Sequence, residues 1–421
     1  MKIVDFLIVG GSAAGTTAAE TIRTNLPNSS ITIISDENHE QYSRVLLPHY
    51  IRGKVAREQV FLKKSEWYQE RKIELVKGVR VEGLDTGGKK VGLSNGEEYH
   101  FGKLLIAIGA DVIKWSVPGS DKTKVLYMRT IEDGDEIVKV ASQSKKAIVI
   151  GGGFIGLEFA SCFRMNGVSD VTVLVLEPYF WSGKLDNKSS RVLVSTLEKN
   201  GVKVLTNEEV DHFDYSNNQS KAVTKSGKVF PFDAVGVGIG IKSDLSWLEG
   251  SGVKINRGVL TNEYLQTNVA DVYAAGDCAE FYDVIFERKH IIGNWANATS
   301  QGLAVGKTMS GVKTVFETAS SYSISFFDPP AGEAGGSCSF IGVTDEKFAD
   351  EIVSRGSVES GKMTRIFVKT IGGVMRVVGA TVINSVADVS PLTMVVKSKV
   401  DVLRHKDKLG DQGFDLRELI S

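Results

Sequence analysis

The stretch from Lys146 to Glu158, KAIVIGGGFIGLE, limits the possible folds of this chain more than any other. An apolar run, Ala147 to Ile150, stops at three glycines, and a helical pattern starts at once at Phe154 and continues to Arg164. That order is a buried strand, a tight turn and a helix start. Gly151, Gly153 and Gly156 have separate tasks: the first permits the turn, the second lets the backbone approach a pyrophosphate, and the third lets the helix pack on the strand. The N–H groups around Phe154 and Ile155, with the positive end of the helix dipole, face the phosphates. A second strand, Val171 to Leu176, is closed by Glu177. A carboxylate about twenty residues beyond the last glycine is placed to accept a hydrogen bond from a ribose hydroxyl.

The chain does this twice. Residues 3–9, IVDFLIV, read as a strand, and Gly10-Gly11-Ser12-Ala13-Ala14-Gly15 with Thr16–Arg23 reads as turn and helix. Ser12 replaces the middle glycine and leaves less clearance for a pyrophosphate. The next strand, Ile31–Ile34, ends in Ser35-Asp36-Glu37, so the ribose partner is Asp36 or Glu37. Two such units predict two dinucleotides, and an N-terminal plus a mid-chain copy points to FAD and NAD(P)H.

At 421 residues the chain is too long for one core. Its 50 basic and 51 acidic residues cancel to a net charge of −1, so no global field draws in nucleic acid or an anionic membrane. The cysteines, Cys162, Cys278 and Cys338, are far apart, with no disulfide framework, no CxxC and no metal-ligand spacing. The apolar run Ile3–Val9 is short and leads straight into a glycine turn, so it is no secretory segment, and no membrane-spanning run occurs. The expectation is a cytoplasmic protein with no bound metal, no nucleic-acid partner and no membrane insertion.

Further segments carry a family resemblance. Gln41-Tyr42-Ser43-Arg44-Val45-Leu46-Leu47-Pro48-His49-Tyr50 is similar to a Y-x-R-x-x-L segment, and Leu104 to Ala110 to a strand end otherwise written ATG, with Ile108 for its threonine. Tyr127 to Asp133 and Asp233 to Gly240 are similar to a pair of domain crossings, and Thr267 to Glu280 to a second FAD fingerprint around Gly276 and Asp277. Asn294-Trp295 to Gly302 is similar to a helix at the flavin's pyrimidine edge. Together they resemble the FAD-dependent pyridine-nucleotide oxidoreductases with two dinucleotide domains, in the branch of NADH oxidases, nitrite reductase flavoproteins, and rubredoxin and ferredoxin reductases. The resemblance implies an α/β protein with a discontinuous FAD-binding domain (1–115 and 241–315), an inserted NAD(P)H-binding domain (116–240) and a C-terminal α+β interface domain (316–421). That last region reads as short alternating strands, then an amphipathic helix from Pro391 to Arg404 and a charged surface tail or short helix from Lys406. By analogy the interface domain supports a homodimer.

The resemblance also implies the site residues. FAD would be held by Gly10, Ser12, Ala13, Ala14, Gly15, Asp36 or Glu37, Arg44, Val81, Ala107, Gly109, Arg129, Gly276, Asp277 and Trp295, with the indole of Trp295 equally readable as plain core. NADH would be held by Gly151, Gly153, Phe154, Ile155, Gly156, Glu158, Glu177 and Gly240. Glu158 would act in the nicotinamide–flavin space, paired with His49 or Arg44. Glu177 favours NADH over NADPH, because it would repel a 2′-phosphate and only Lys184 lies near. No cysteine precedes Cys162, so the relatives' flavin-linked thiols are missing, and only Cys338 has a loop-like setting. The implied activity is hydride transfer from NADH to FAD, then electron delivery to a rubredoxin- or ferredoxin-type carrier or a small-molecule acceptor. The alternatives are an NADH oxidase, a coenzyme A disulfide or persulfide reductase, and an NADH-sensing interaction flavoprotein like apoptosis-inducing factor.

Overall fold

A computed structural model of the chain describes residues 2–215, 219–327 and 335–420. They group into two compact units, Met1–Val45 with Ala56–Asp111 and Lys242–Ser320, and Leu46–Val55 with Val112–Ile241 and Ser321–Ser421.

The first unit is built on parallel strands in the order Ile73–Val76, Ile31–Ile34, Lys2–Val9, Glu98–Ile106, with Val272–Ala274 beside the last. All four residues of Ile31–Ile34 are buried, as expected of a strand covered on both faces. The register sets Val9 opposite Ile34 and Ile106, and Ile106 opposite Ala274, so the carboxyl ends of these strands finish level. Helix Ala13–Asn25 lies against helix Trp295–Met309 through small residues, and a Cβ on Gly302 would sit 2.4 Å from the carbonyl oxygen of Ala14. Phe6, Ile8, Ile22, Ile33, Leu105 and Met309 fill the core beneath them.

In the second unit the parallel order is Val202–Thr206, Asp170–Val175, Lys146–Ile150, Ala234–Val237, Val125–Leu126, with Ile150 opposite Leu174 and Val237. Helix Phe154–Met165 packs so closely that a Cβ on Gly236 would meet the ring of Phe159 at 2.6 Å. Helix Ile131–Ala141 is opened by a capping box between Thr130 and Asp133. Residues 46–55, within the span expected of the first domain, group here. Their short helix Leu47–Ile51 sits over Gly134, Tyr50 donates to Asp135 Oδ1 (2.7 Å), and Asn166 Nδ2 donates to the Ile51 carbonyl (2.7 Å).

The same unit holds an antiparallel sheet in the order Ser321–Phe326, Gly336–Gly342, Val374–Ile383, Lys362–Ile371, Glu351–Ser357. Two expectations change here. The helix runs from Val386 to Ser398, not from Pro391 to Arg404: Pro391, Leu392, Val395 and Val396 are buried by it, and Lys399 stops it in a left-handed conformation (φ 56°). Of the two readings of the segment beyond Lys406, the surface tail gives way to the short helix, Leu416–Ile420: Leu409, Phe414, Leu416 and Leu419 are buried and Arg355 Nη2 donates to the carbonyls of Gln412 and Phe414 (both 3.1 Å).

Candidate functional site

The two glycine turns are built alike. Gly10 and Gly151 adopt φ of 114° and 112°, open only to glycine, and a Cβ there would lie 2.1 Å from the Ala107 carbonyl oxygen or 2.3 Å from that of Gly238. Gly15 and Gly156 lie under the turns: a Cβ would be 1.9 Å from the Gly10 oxygen in one and 2.0 Å from the Gly151 oxygen in the other. Both helices start from an extended residue, Ser12 or Gly153, without a side-chain cap and without an acidic residue in the first turn. Their leading N–H groups are left for an external anion. Each cradle therefore fits a dinucleotide pyrophosphate, with clear backbone, helix N–H groups that no side chain caps, and no acidic residue in the helix's first turn.

In the first unit, Glu37 rather than Asp36 is the organised acid. It accepts from the Tyr42 hydroxyl and from Arg44 Nη2, while Asp36 is exposed. Burial pulls the Arg44 pKa down, but Tyr42, Glu37 and Asp277 together outweigh it and hold the guanidinium above the ordinary arginine value. Arg44 thus links the acid after the first turn to the second fingerprint. There Gly276 (φ 83°) donates its N–H to Gln301 Oε1 (2.7 Å), and Asp277 follows. Trp295 opens its helix, capped by Asn294 accepting from the Asn297 N–H (2.8 Å), with the indole partly buried on the core. Ala107 donates to the Val9 carbonyl (2.8 Å), Gly109 accepts from Ser243 Oγ (2.7 Å), and Val81 is buried at the start of strand Val81–Asp85.

In the second unit, Glu158 has a partner that the sequence reading did not single out. Arg52 Nη1 donates to Glu158 Oε2 at 2.7 Å, with the Arg52 side chain fully buried and that of Glu158 7% exposed. A cation on Glu158 is therefore Arg52, and Arg44 is bound to Glu37. His49 stands behind the pair, its Nδ1 3.4 Å from Arg52 Nη2. The available signal was spacing: positions 49 and 52 share one face of a helical turn. Glu177 is exposed just past strand Asp170–Val175, its carbonyl accepting from the Asn207 N–H (3.1 Å). Gly240 (φ 122°) accepts from the Ile113 N–H (3.0 Å), and the Arg129 N–H is given to Asp133 Oδ2 (2.9 Å).

The three cysteines are free and buried. Burial pushes the Cys278 thiol up to about 12 and the Cys338 thiol higher still. Burial also raises Cys162, with Glu158 adding to the rise and Arg52 opposing it. Cys338 lies inside strand Gly336–Gly342, not in a loop. Among the described residues no helix is long and apolar enough to cross a membrane.

Residues 4–302 match the pyridine nucleotide-disulphide oxidoreductase family. The chain is 31% identical over 309 residues to nitrite reductase (NAD(P)H) of Bacillus subtilis (strain 168), covering 73% of this chain but only 38% of that relative. It is 28% identical over 310 residues to rubredoxin-NAD(+) reductase of Pseudomonas putida, covering 73% and 80% of the two chains. Among solved structures, a ferredoxin reductase from Rhodopseudomonas palustris matches with a TM-score of 0.88 at 25% identity, covering 99% of this chain and 100% of that one. Two like-built dinucleotide cradles and a match that runs from the first strand into helix Trp295–Met309 lead to one conclusion: the chain belongs to the pyridine nucleotide-disulphide oxidoreductase family.

Proposed function

We propose that the chain takes a hydride from NADH onto FAD and delivers the electrons to a small carrier protein of the rubredoxin or ferredoxin kind. The observation that carries this reading is the burial of all three thiols, which leaves no accessible protein dithiol between flavin and acceptor. Bound FAD supplies the chemistry, accepting electrons as a pair and releasing them singly or in pairs. The residues hold and orient. The Gly10–Gly15 turn would take the FAD pyrophosphate, Glu37 its ribose, and Asp277 the hydroxyls of its ribityl chain, with Arg44 offsetting phosphate charge. The Gly151–Gly156 turn would take NADH, and Glu177 would accept from its 2′-hydroxyl. Glu158, held by Arg52, sets the charge beside the nicotinamide. The rubredoxin-NAD(+) reductase relative supports a protein acceptor. Free, buried cysteines fit a reducing compartment, so we place the protein in the cytoplasm. Exposed Val386, Met394 and Leu403 support a homodimer through the C-terminal region.

The test is anaerobic. The yellow protein is reduced with NADH and acceptors are added one at a time while flavin absorbance is followed. Fast recovery with a rubredoxin or ferredoxin and slow recovery in air is expected. Fast recovery in air would make it an oxidase, and recovery only with disulfides or persulfides would overturn the carrier reading. A long-lived reduced complex with every acceptor would point to an NADH sensor.

A further inference from the structure

The loop that carries Glu177 also carries Trp181, in a backbone conformation that few bulky residues adopt (φ 60°). A strained conformation of this kind persists only where the surroundings fix it. Here the Trp181 carbonyl accepts from the N–H groups of Lys184 and Leu185 (both 2.9 Å), and the neighbouring Phe180 ring is fully buried. The backbone is thereby turned so that the indole stands over the second glycine turn. Among the described residues beyond Gly153 and its two chain neighbours, the heavy atom within 4 Å of the point that a Cβ on Gly153 would occupy is the indole nitrogen of Trp181, at 4.0 Å. Gly153 is the glycine whose missing side chain lets a pyrophosphate approach. Among the described residues the indole N–H has no hydrogen-bond acceptor.

The indole is also braced. Four rings close on one another in a circuit: Phe154 to Trp181 (6.1 Å between centroids), Trp181 to Phe340 (5.0 Å), Phe340 to Tyr322 (5.2 Å, stacked) and Tyr322 back to Phe154 (6.3 Å). Phe340 and Tyr322 are register partners on adjacent strands of the C-terminal sheet, so the sheet presents them side by side.

We infer that Trp181 is a dinucleotide-binding residue: its indole N–H donates to the diphosphate of the nicotinamide nucleotide, opposite the backbone N–H groups of the turn, and the C-terminal sheet holds the ring in place. The inference rests on the reading of the Gly151–Gly156 turn as the nicotinamide-nucleotide site. One loop then offers two contacts of different chemistry, a carboxylate for the ribose and a neutral donor for the phosphates. A neutral donor suits a ligand whose charge the helix dipole already meets.

The test uses FAD-loaded protein and ligands that cannot turn over. Dissociation constants for ADP-ribose and, by competition, for adenosine are measured by calorimetry. Trp181→Phe keeps a ring and removes the N–H. It is expected to weaken ADP-ribose by about tenfold or more, the effect of losing a hydrogen bond to a charged group, and to leave adenosine within about twofold. Phe340→Leu, which keeps the N–H but loosens its brace, should weaken ADP-ribose less and leave adenosine alone. ADP-ribose binding unchanged in Trp181→Phe, or both ligands weakened equally, would overturn the inference. Gly156→Ala separates the underlying reading: if it leaves ADP-ribose binding intact, the turn is not the nucleotide site at all. Unaltered flavin absorbance and circular dichroism establish that each variant is folded.

Discussion

Replacing Arg52 by methionine probes the pair on which the charge of the second site depends. The guanidinium is wholly buried and lies 2.7 Å from Glu158 Oε2, and the carboxylate is 7% exposed. With charge centres near 4 Å and an effective dielectric of about 20, the attraction is about 4 kcal/mol, of the same order as the cost of taking two charges out of water. The intact pair therefore adds little net stability, yet removing one member leaves a buried charge without its counter-ion, at about 3–5 kcal/mol. Arg52→Met and Glu158→Leu should each carry most of that penalty. The double variant should cost much less than the sum, with a coupling of about 2–3 kcal/mol. For a unit of this size the single variants correspond to a fall in Tm of roughly 6–20 °C. Scanning calorimetry of the four FAD-loaded proteins measures the cycle. A fall under about 3 °C for Arg52→Met, or a double variant at the sum of the singles, would refute the pairing. If His49→Ala instead reproduced the loss, the cation would be His49.

Other outcomes follow from the same geometry. Gly15→Ala should give colourless protein and Gly156→Ala yellow protein that NADH no longer bleaches, because each added Cβ would lie 1.9 or 2.0 Å from a carbonyl oxygen in its own cradle alone; absorbance at the flavin band reads both. Cys278, with its thiol pushed up to about 12, should be inert to an aromatic disulfide reagent at pH 8 in the folded protein, as should Cys162 and Cys338. At that pH such a thiol is ionised only about once in 10,000 molecules, so reaction should await unfolding. Glu40 is disfavoured as an anion by its partial burial, but hydrogen bonds from Lys77 and Ser65 prevail and hold its carboxyl at about 2. A depressed carboxyl adds stability above its unfolded pKa, lost as pH falls from about 4.5 to 2, so Glu40→Gln should narrow the gap between the unfolding free energies from urea titrations at pH 5 and pH 2.5 by up to about 1 kcal/mol. Glu177→Ala should raise NADPH affinity relative to NADH, measured as the ratio of the two dissociation constants.

What could be read from the residues was local. Strand, turn and helix at Gly10 and Gly151 occupy consecutive positions, and their conformations follow from glycine spacing, so the α/β architecture with two Rossmann-like folds was legible before any contact was known. Arg52 was not, because its role arises from residues 106 positions apart, and locally only the helical face it shares with His49 sets it apart from a surface arginine. The choice between Asp36 and Glu37 likewise needed the tertiary positions of Tyr42 and Arg44. The C-terminal helix was misplaced because proline was read as a start, whereas tertiary burial of Leu392, Val395 and Val396 carries the helix through Pro391. Trp181 reads as one aromatic among several until its φ and its height above Gly153 are known.

Strand Glu98–Ile106 has one long edge covered early, by Lys2–Val9, and the upper part of the other covered only by Val272–Ala274. During synthesis the backbone of Leu104 to Ile106 must wait for those residues. At about 5–20 residues per second that wait lasts roughly 10–30 seconds. For that interval a nascent chain presents an unpaired parallel edge, flanked by side chains that end up wholly buried, while residues 107–271 are being made. The sheet that holds the first cradle, though begun first, thus closes only once residue 274 has been made, and a stall or truncation between residues 107 and 271 would leave a sticky half-sheet rather than a smaller working protein.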